Sequence, residues 1–423
     1  MTPNAGFIYR MIKAPFLVLR RAFWWLRNNE VSYPHEFLLL FAAMPVALTL
    51  RLLSPFLTIR VARITASRLG NLSFEPEGYV MSRDLGLMDP NTFDIFYYTK
   101  AHSNKFLAAK WRSVIRVWGF ARYVYIVNPL FPGSERFRAD TYNLREMLKC
   151  HSEQFSKPGY LRMSPREERR AEALLKKYGI LPNREFVCFF NRDSVYLDTH
   201  VQNSDWSYHS YRDSEIENYR AAIDALSDKG YGAFRMGACV SKEFKSDNPH
   251  VIDYPSRFRA EINDDILDVY LLSKAKFIIA ATCGLADLCQ SLRKDNVFVN
   301  AVPFILLDGF AGKIDMFIPK LFWLKNEQRY MTFREILGSP AKDFGRTEDF
   351  AKAGIEPREN TSDEIHDVAL EMDQRISGTW QETPEDRELQ ETFMRLLPPN
   401  RLPGMRMPRI GAAFLRKHRN LLS

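Results

Sequence analysis

The side chains best suited to chemistry in this sequence are two arginines at the expected ends of buried strands. Arg192 follows the apolar run EFVCFFN, and Arg235 lies within FRMG. A buried guanidinium is costly unless it has an anionic partner, and two of them at neighbouring strand ends could bind a diphosphate bidentately. The sequence therefore predicts catalytic roles for Arg192 and Arg235. The alternative is an internal ion pair, for example between Arg192 and Asp253.

A second feature suited to anion binding is the turn Thr282–Cys283–Gly284. The apolar run FIIAAT ends there, and the helix pattern LADLCQSLRK begins. The first amides of a helix are unpaired and its dipole is positive at that end, so a phosphate is favoured there. The alternative is that Gly284 only lets the helix pack on the sheet, because the sequence has no GxGxxG motif.

Signals for a metal or an acid–base pair are sparse. His200 and His209 lack ligand spacing, so we expect no metal site and no cofactor. His209, near Arg212 in the polar loop NSDWSYHSYRDSE, is more typical of a surface histidine than of a catalytic base. Three acids open a helix pattern, where they stabilise the helix dipole without a metal: Asp264, Asp265 and Asp268.

These residues depend for their positions on strands and helices that alternate along the chain. The sequence predicts the strands VARITAS, FDIFYYT and YVYIVN in a first half, and EFVCFFN, GAFRMG, HVIDY, FIIAAT and NVFVNAVP in a second. Helix patterns separate them, which indicates parallel βαβ units and an α/β fold. We expect one helix to begin with a capping box of Ser214 and Glu217, and another to be capped by Asn263. A polar stretch before Pro182 places the boundary between two Rossmann-like, doubly wound domains near residue 180.

Doubly wound sheets bind ligands at the carboxyl ends of their strands, in the crevice where the strand order reverses. The further second-half residues expected at strand ends are Asn191, Asp193, Gly237, Tyr254, Asn300 and Pro303. In the first half, Arg68 and Gly70 follow a strand. The sequence therefore predicts one cleft that both sets of residues face.

The net charge of +8 is unevenly distributed. Residues 1–70 carry +7 and residues 401–423 carry +6, so the 330 residues between them carry −5. Basic ends on an acidic body are unlike a nucleic-acid groove, which places its charge on the folded domain. They favour contact with an anionic membrane surface, to which each nearby Lys or Arg contributes about 1 kcal/mol. The five cysteines sit singly in apolar stretches, which is typical of reduced thiols in the cytosol.

The segment 1–58 is both basic and hydrophobic, and we expect it to be helical and to contact a membrane. Its apolar run 37–50 is 14 residues long, contains Pro45 and precedes Arg51, whereas a spanning helix needs about 20 apolar residues. Three arrangements remain open: an in-plane or re-entrant membrane contact, a soluble hydrophobic helical hairpin, and a true span. At the other end of the chain, 341–423 is predicted to be a helical tail with a basic C-terminus.

An ordered series of motifs resembles a family of bacterial glycosyltransferases associated with surface-polysaccharide gene clusters. The first-half motifs are RLGNLSFEPE and SNKFLAAKW, and the second-half motifs are NRDSVYL, HSYRDSEIENYRAAIDALSDKGYGAFRMG, VIDY, DDILDVYLLSKAKFIIAATCGLADL, VNAVP and FIPK. The resemblance covers residues 60–340 and implies a GT-B-like fold of two Rossmann-like domains. An acceptor domain at 59–180 would face a nucleotide-sugar donor domain at 181–340.

The resemblance also implies roles for individual positions. The second-half positions that match the family are Arg192, Asp193, Tyr196, Arg212, Arg235, Gly237, Asp253, Asp268, Asn300 and Lys320. Most of these, with Tyr254 and the 282–284 turn, would bind the donor, and Arg68, Gly70 and Asn71 would form an acceptor-side loop. The chain departs from the family at Asn71, where the family has histidine, and at Cys283, where it has serine. The second change removes a hydroxyl donor to phosphate but leaves the backbone amides.

The function so implied is transfer of a sugar from a nucleotide-sugar to a glycan or lipid-linked acceptor, in the cytoplasm at the inner face of the cytoplasmic membrane. Arginines and a helix terminus would stabilise the leaving nucleotide without a metal. A base, if one is needed, would come from Glu75, Glu77 or Asp84. Two alternatives stay open: a polyol-phosphate transferase on the same fold, and a non-catalytic polysaccharide-assembly subunit.

Overall fold

The structure is a computed structural model that describes residues 33–99, 101–139, 154, 157–195, 205–304, 312–397 and 408–423. The predictions made for the basic segment 1–32, and for Tyr196, His200 and Cys150, lie outside these ranges.

The first half of the chain is a parallel pair of strands flanked by helices. Its elements are α1 (Pro34–Leu53), β1 (Thr58–Ile64), α2 (Leu69–Asp84), β2 (Thr92–Tyr98), α3 (Lys105–Arg112) and α4 (Ala121–Val127). The register of the strand pair runs from Thr58 opposite Thr92 to Ile64 opposite Tyr98. The first two strands predicted for this half are therefore confirmed.

The third first-half strand predicted from the sequence, YVYIVN, is wrong, because its first five residues lie in α4 and Asn128 begins a 3-10 turn. Val124 and Val127 of α4 are buried in a small core with Ala43 and Ala47 of α1. Helix-on-helix packing thus overrides the strand propensity of a β-branched and aromatic run. Among the described residues the first-half sheet has two strands. A doubly wound sheet was expected for this half and is not observed there.

The second half alternates strands with helices. Its elements are α5 (Pro165–Lys177), β3 (Phe186–Phe190), α6 (Arg220–Asp228), β4 (Gly232–Arg235), β5 (Val251–Asp253), α7 (Tyr254–Arg257), α8 (Arg259–Ile262), α9 (Ile266–Lys274), β6 (Ile278–Ala280), α10 (Gly284–Ser291), β7 (Asn296–Ala301) and β8 (Met316–Pro319). All five strands predicted for this half are confirmed as β3 to β7.

Two helix starts in the second half differ from the prediction. Ser214 does not cap α6, which is preceded by a 3-10 turn at Ile216–Tyr219. Asn263 ends α8 with a φ of 46°, and Asp265 occupies the cap position of α9. Asparagine tolerates this left-handed conformation well, and the sequence alone does not distinguish an asparagine that ends one helix from one that starts the next.

The rest of the chain adds a small antiparallel sheet and several helices. These elements are β9 (Leu321–Leu324), β10 (Arg329–Tyr330), α11 (Phe333–Leu337), α12 (Thr347–Lys352), β11 (Ile355–Arg358), α13 (Ser362–Ile376), α14 (Pro384–Leu396), β12 (Arg409–Ile410) and α15 (Ala412–Lys417). The tail is attached to the second half, because Asn360 and Asn300 exchange hydrogen bonds: each backbone amide donates to the other's Oδ1, at 2.7 and 2.5 Å.

The main sheet has seven strands in the order β12-β8-β7-β6-β3-β4-β5, and every neighbouring pair in it is parallel. From β3 the chain moves outward through β4 and β5, returns to β6 on the other side of β3, and continues outward to β8. The strand order therefore reverses between β3 and β6, which is the doubly wound topology predicted for this half. Ligands bind such sheets at the carboxyl ends of the strands that flank the reversal.

Two contacts join α2 of the first half to the segment around α10 of the second. The hydroxyl of Ser291 donates to the carbonyl of Ser73 at 3.4 Å, and Arg293 Nη2 donates to Glu77 Oε1 at 2.6 Å. The Glu77 side chain is completely buried. Together with a glycine contact described below these form the helix seam, whose members are Gly70, Ser73, Glu77, Gly284, Ser291 and Arg293.

The basic residues near the C-terminus are paired within the fold. Lys417 and His418 both lie 2.7 Å from Glu364 Oε1, and Arg416 pairs with Asp386 of α14. The positive charge of the described C-terminal residues is thus offset by acidic residues of the tail. Its charge therefore gives little support to the membrane contact expected from composition.

The helix α1 continues through Pro45 to Leu53, so the 14-residue apolar run belongs to a helix of 20 residues. Within the described residues it is the one helix long and apolar enough to cross a membrane, by length and composition. One face of α1 packs on α4 and β1, and the other carries exposed apolar side chains.

Candidate functional site

The helices that follow β1 and β6 begin against each other. Gly70 lies in the first turn of α2, and Gly284 is the first residue of α10. A Cβ on Gly284 would lie 2.8 Å from the backbone nitrogen of Gly70, and one on Gly70 would lie 3.3 Å from the Cα of Gly284. Only glycine permits so close an approach of two backbones.

A cavity of about 280 Å³ opens at this contact, between the two halves and beside the carboxyl ends of β3 and β6. The first residues of α2 and of α10 both line it, so unpaired helix amides from both halves border one space. Nine of the positions that the sequence assigned to ligand binding lie on its wall: Arg68, Gly70, Asn71, Arg192, Asp193, Arg212, Gly237, Cys283 and Gly284.

Other positions predicted to bind the donor are not brought to this cavity: Arg235, Asp253, Tyr254, Thr282 and Asn300. Tyr254 is completely buried, and the hydroxyl of Thr282 donates to the carbonyl of Val302 at 3.0 Å. Asn300 has a φ of 52° and is occupied by its exchange with Asn360. Their positions at strand ends were expected, but these side chains point into the protein.

Arg235 forms an internal ion pair rather than the cleft-facing contact expected of it. Its Nη1 lies 3.2 Å from Asp253 Oδ2 and also donates to the carbonyl of Lys242. Within the described residues its Nε and Nη2 atoms have no hydrogen-bond partner. They belong to a side chain that lines a smaller polar cavity of about 150 Å³, which Arg192 also lines. Such a space is roomy enough for water molecules that would satisfy these donors.

Three arginines converge on the main cavity from both halves. Arg68 comes from the start of α2, and its guanidinium lies 4.6 Å from the centre of the Trp206 ring. Within the described residues this guanidinium has no hydrogen-bond or ion-pair partner. Arg192 follows β3, and Arg212 ends a 3-10 turn, where its Nε donates to the hydroxyl of Tyr211 at 2.9 Å. Three guanidinium groups therefore line one space.

His209 also lines the cavity, and the charge of these arginines affects the pKa of its imidazole. Burial, followed by the charges of Arg212, Arg192, Arg68 and Arg346, lowers the pKa of His209 to about 4. The imidazole is therefore uncharged at neutral pH and a poor general base. Its ring is tilted by 40° to that of Tyr208, and the two ring centres lie 3.8 Å apart.

Arg192 is held in place by buried polar groups. Its side chain is 7% exposed and pairs with Asp213. The ammonium of Lys320 donates to the carbonyl of Asp213 at 2.6 Å. Burial lowers the pKa of Lys320 and raises that of the Asp213 carboxyl, the nearby cations opposing the second shift. The guanidinium of Arg192 is therefore fixed before any ligand arrives.

The loop that carries Trp206, His209 and Arg212 is anchored to the tail, and Thr347 makes three of these contacts. Thr347 Oγ1 donates to the carbonyl of Ser207 at 3.0 Å, lies 3.0 Å from the hydroxyl of Ser210, and accepts from the amide of Tyr211 at 3.3 Å. The tail therefore positions part of the cavity wall, although it lies more than a hundred residues later in the sequence.

Acids also line the cavity: Asp193, Asp268 and Asp287. Asp193 accepts from the amide of Ser241 at 3.0 Å. The carboxylate of Asp287 lies where a side chain on Gly70 would collide with it. Sequence reasoning missed Asp287 and gave no role to Trp206. The position of Asp287 in the first turn after the 282–284 glycine turn was the available signal.

The three acids expected to open a helix are all paired with arginines. Asp265 and Asp268 both pair with Arg259, at 2.5 and 3.1 Å, and Asn104 Nδ2 donates to Asp268 at 3.1 Å. Asp264 pairs with Arg170. In the described part of the chain no three or more His, Cys, Asp or Glu side chains are grouped to hold a metal.

The three acids suggested as a base do not reach the cavity. Glu77 belongs to the helix seam, and Asp84 lies 3.3 Å from Arg83 at the far end of α2. Glu75 accepts from Asn71 Nδ2 at 2.8 Å, so it contacts the cavity only through Asn71. Burial raises the pKa of the Glu75 carboxyl.

Comparisons with known proteins give no family. No protein-family model matches this sequence, and no curated protein matches it. Among solved structures, a family 9 glycosyl transferase from Veillonella parvula aligns with 60% of this chain and 82% of its own, at 11% identity and a TM-score of 0.29. The E. coli ADP-heptose lps heptosyltransferase II aligns with 58% of this chain and 86% of its own, at 10% identity and a TM-score of 0.30. E. coli heptosyltransferase WaaC with ADP aligns with 57% of this chain and 86% of its own, at 13% identity and a TM-score of 0.28. At these scores the likeness by itself says nothing of the activity of this chain.

Proposed function

We propose that this chain transfers a sugar from a nucleotide-sugar to a glycan or lipid-linked acceptor in surface-polysaccharide synthesis, in the cytoplasm at the inner face of the cytoplasmic membrane. The observation that carries the proposal is the convergence of Arg68, Arg192 and Arg212 on a cavity bordered by two helix N-termini. Such a site suits a diphosphate, because guanidinium groups bind its oxygens bidentately and helix amides donate to it.

The chemistry follows from where charge develops. The bond between the anomeric carbon and the diphosphate oxygen breaks, and the acceptor oxygen forms the new bond. Negative charge therefore grows on the leaving nucleoside diphosphate, and positive groups fixed in advance stabilise it more than the ground state. Arg192, which Asp213 holds in a buried position, suits this role best.

Arg68 and Arg212 complete the proposed diphosphate site from either side of the cleft. Together the three arginines supply positive charge that a metal ion could otherwise provide, so independence of metals and cofactors is part of the proposal. The acceptor hydroxyl must lose its proton, and Asp193, Asp268 and Asp287 are the carboxylates on the cavity wall.

The test is a panel of donors in which both binding and the released nucleotide are measured. Nucleotide-sugars and nucleotide-activated polyols are screened by thermal shift, where saturation at about a hundred times the Kd adds roughly 2.7 kcal/mol. Sugar transfer releases a nucleoside diphosphate, whereas transfer of a polyol phosphate releases a nucleoside monophosphate. Release of the monophosphate would favour the polyol-phosphate alternative. Folded protein that no donor stabilises would contradict both and favour a non-catalytic subunit.

A further inference from the structure

The outer face of α1 carries a row of exposed apolar side chains. Leu38, Phe41 and Leu52 are 71%, 64% and 77% exposed, and Phe56, just beyond the helix, is 85% exposed. At 3.6 residues per turn Leu38, Phe41 and Leu52 fall on one side of the helix, and the row from Leu38 to Leu52 is about 21 Å long. We call this row the α1 stripe; its members are Leu38, Phe41, Val46, Leu48, Leu52, Leu53, Phe56 and Leu57.

The opposite face of α1 is fixed to the first half. Leu40, Ala43, Ala47 and Leu50 are buried in the core shared with α4 and β1. This face follows a helical period, which makes α1 a helix with two apolar faces, one of them covered by protein.

Both ends of α1 are clamped by charged side chains. Near the start, Glu36 lies 3.3 Å from Arg122 Nη1, and both side chains are largely buried. Near the end, Arg51 Nη2 donates to Asn128 Oδ1 at 2.8 Å, and its guanidinium lies 4.6 Å from the centre of the Phe137 ring.

These clamps remove charge from the outer face. Glu36 and Arg51 are the only ionisable residues between His35 and Arg60, and both side chains turn toward the protein. From Leu38 to Leu57 the α1 stripe therefore contains no ionisable group.

We propose that the α1 stripe inserts into one leaflet of a lipid bilayer, with the helix axis parallel to the membrane plane. This arrangement buries the stripe and keeps the clamps and the inner face intact. A span would place the Glu36–Arg122 pair in hydrocarbon and strip α1 from its core, at a high cost for each buried polar group.

Lipid is favoured over a protein partner by the uniform chemistry of the stripe, since protein interfaces have a polar rim around their apolar centre. The sequence just before α1 is complementary to anionic headgroups. Arg20, Arg21 and Arg27 flank Trp24 and Trp25 there, the residue types that favour an anionic membrane interface. The proposal does not depend on the proposed sugar transfer.

The first test measures binding of the full chain to vesicles of phosphatidylglycerol and phosphatidylethanolamine. Phe41→Glu and Leu52→Glu should each weaken binding about tenfold or more, because each removes buried apolar surface and adds a charge. Leu181→Glu, at a 41% exposed leucine outside the stripe, is the matched control and should bind as the wild type does. Unchanged binding by the stripe variants would overturn the proposal.

Two further outcomes of this test would also overturn it. If the stripe variants dissociate an oligomer in sedimentation experiments and still bind vesicles, a second copy of the chain covers the stripe. If removal of residues 1–32 strengthens vesicle binding, that segment covers it.

The second test measures depth with lipid-borne quenchers and a fluorophore placed at Leu38, Val46 or Leu52. A helix in the membrane plane keeps all three positions shallow, with Val46, on the flank of the stripe, no deeper than Leu38 and Leu52. If the fluorophore at Val46 lies clearly deeper than those at Leu38 and Leu52, α1 spans the membrane and the proposal is wrong.

Discussion

The guanidinium of Arg235 lies 3.2 Å from the carboxylate of Asp253, and neither side chain is more than 1% exposed. The two residues are directly opposite each other on β4 and β5. Asp253 Oδ2 also accepts hydrogen bonds from the amide of Phe244 at 2.6 Å and the hydroxyl of Ser256 at 2.9 Å. This ion pair therefore ties two strands and a loop together beneath the candidate site.

Arg235→Ala should lower the free energy of unfolding by about 3–5 kcal/mol, because it leaves the Asp253 carboxylate buried without its partner. Nucleotide affinity of the folded variant should stay close to that of the wild type. Urea unfolding and titration calorimetry on the same preparation measure both. The double variant Arg235→Met/Asp253→Asn should recover part of the lost stability. If the Arg235→Ala variant is as stable as the wild type but has lost nucleotide affinity, Arg235 contacts the ligand.

Arg68→Ala should weaken nucleoside diphosphate binding by about ten- to a hundredfold, since a charge-assisted contact to phosphate contributes about 1.5–3 kcal/mol. Stability should change little, because the described residues include no hydrogen-bond partner for this guanidinium. Arg169→Ala, at an exposed arginine of α5, is the matched control for loss of one positive charge. Equal affinities in the two variants would remove Arg68 from the proposed site.

Gly284→Ala should lower stability by about 1–3 kcal/mol and reduce turnover, because its Cβ would lie 2.8 Å from the nitrogen of Gly70 and force α2 away from α10. Gly119→Ala is the control, since a Cβ at Gly119 meets no atom within 4 Å. Thermal unfolding and donor turnover check this prediction. A Gly284→Ala protein with normal stability and rate would show that the two helix starts need not touch.

His209 should titrate far below an ordinary histidine, because its pKa is lowered from 6.5 to about 4. The folded state then binds protons less tightly than the unfolded chain. The stability linked to His209 is therefore complete above pH 6.5 and is lost as the pH falls toward 4. His209→Gln should show a flatter dependence of unfolding free energy on pH in this window. Binding of a nucleoside diphosphate should raise the His209 pKa in an NMR titration, since its charge offsets the arginines. A His209 pKa near 6.5 in the absence of ligand would contradict the effect of burial and of the nearby arginines on the imidazole.

Donor turnover should survive EDTA, because three arginines supply the positive charge of the proposed site. Activity is measured before and after chelation, and again after Mg²⁺ and Mn²⁺ are restored. Loss of activity that metal restores would contradict the arginine mechanism and draw attention back to Asp193 and Asp287 on the cavity wall.

Much of the second half was predictable because its strands are nearly continuous apolar runs bounded by turn residues. Such runs are typical of buried parallel strands, and the reversal between β3 and β6 then located the cavity edge. YVYIVN has the same composition but lies in α4, because α1 offers its small residues Ala43 and Ala47 as a packing surface. That partner is distant in sequence, so no local pattern predicts it.

Side-chain direction was harder to predict than position. Arg192 and Arg235 both lie at strand ends, yet one lines the cavity and the other pairs with Asp253. Adjacent residues on a strand point to opposite faces, so a shift of one position decides between a ligand and an internal partner. The contribution of Thr347 was beyond sequence reasoning, since it depends on how the tail returns to the loop.

The helix seam opposes any widening of the cavity between α2 and α10. Moving α2 away from α10 would leave Glu77 buried without Arg293, so the two halves resist separation along this line. Trp206 and His209 also line the cavity, but the loop that carries them is not part of this seam. Because Thr347 holds that loop, a part of the cavity wall depends on a residue of the tail.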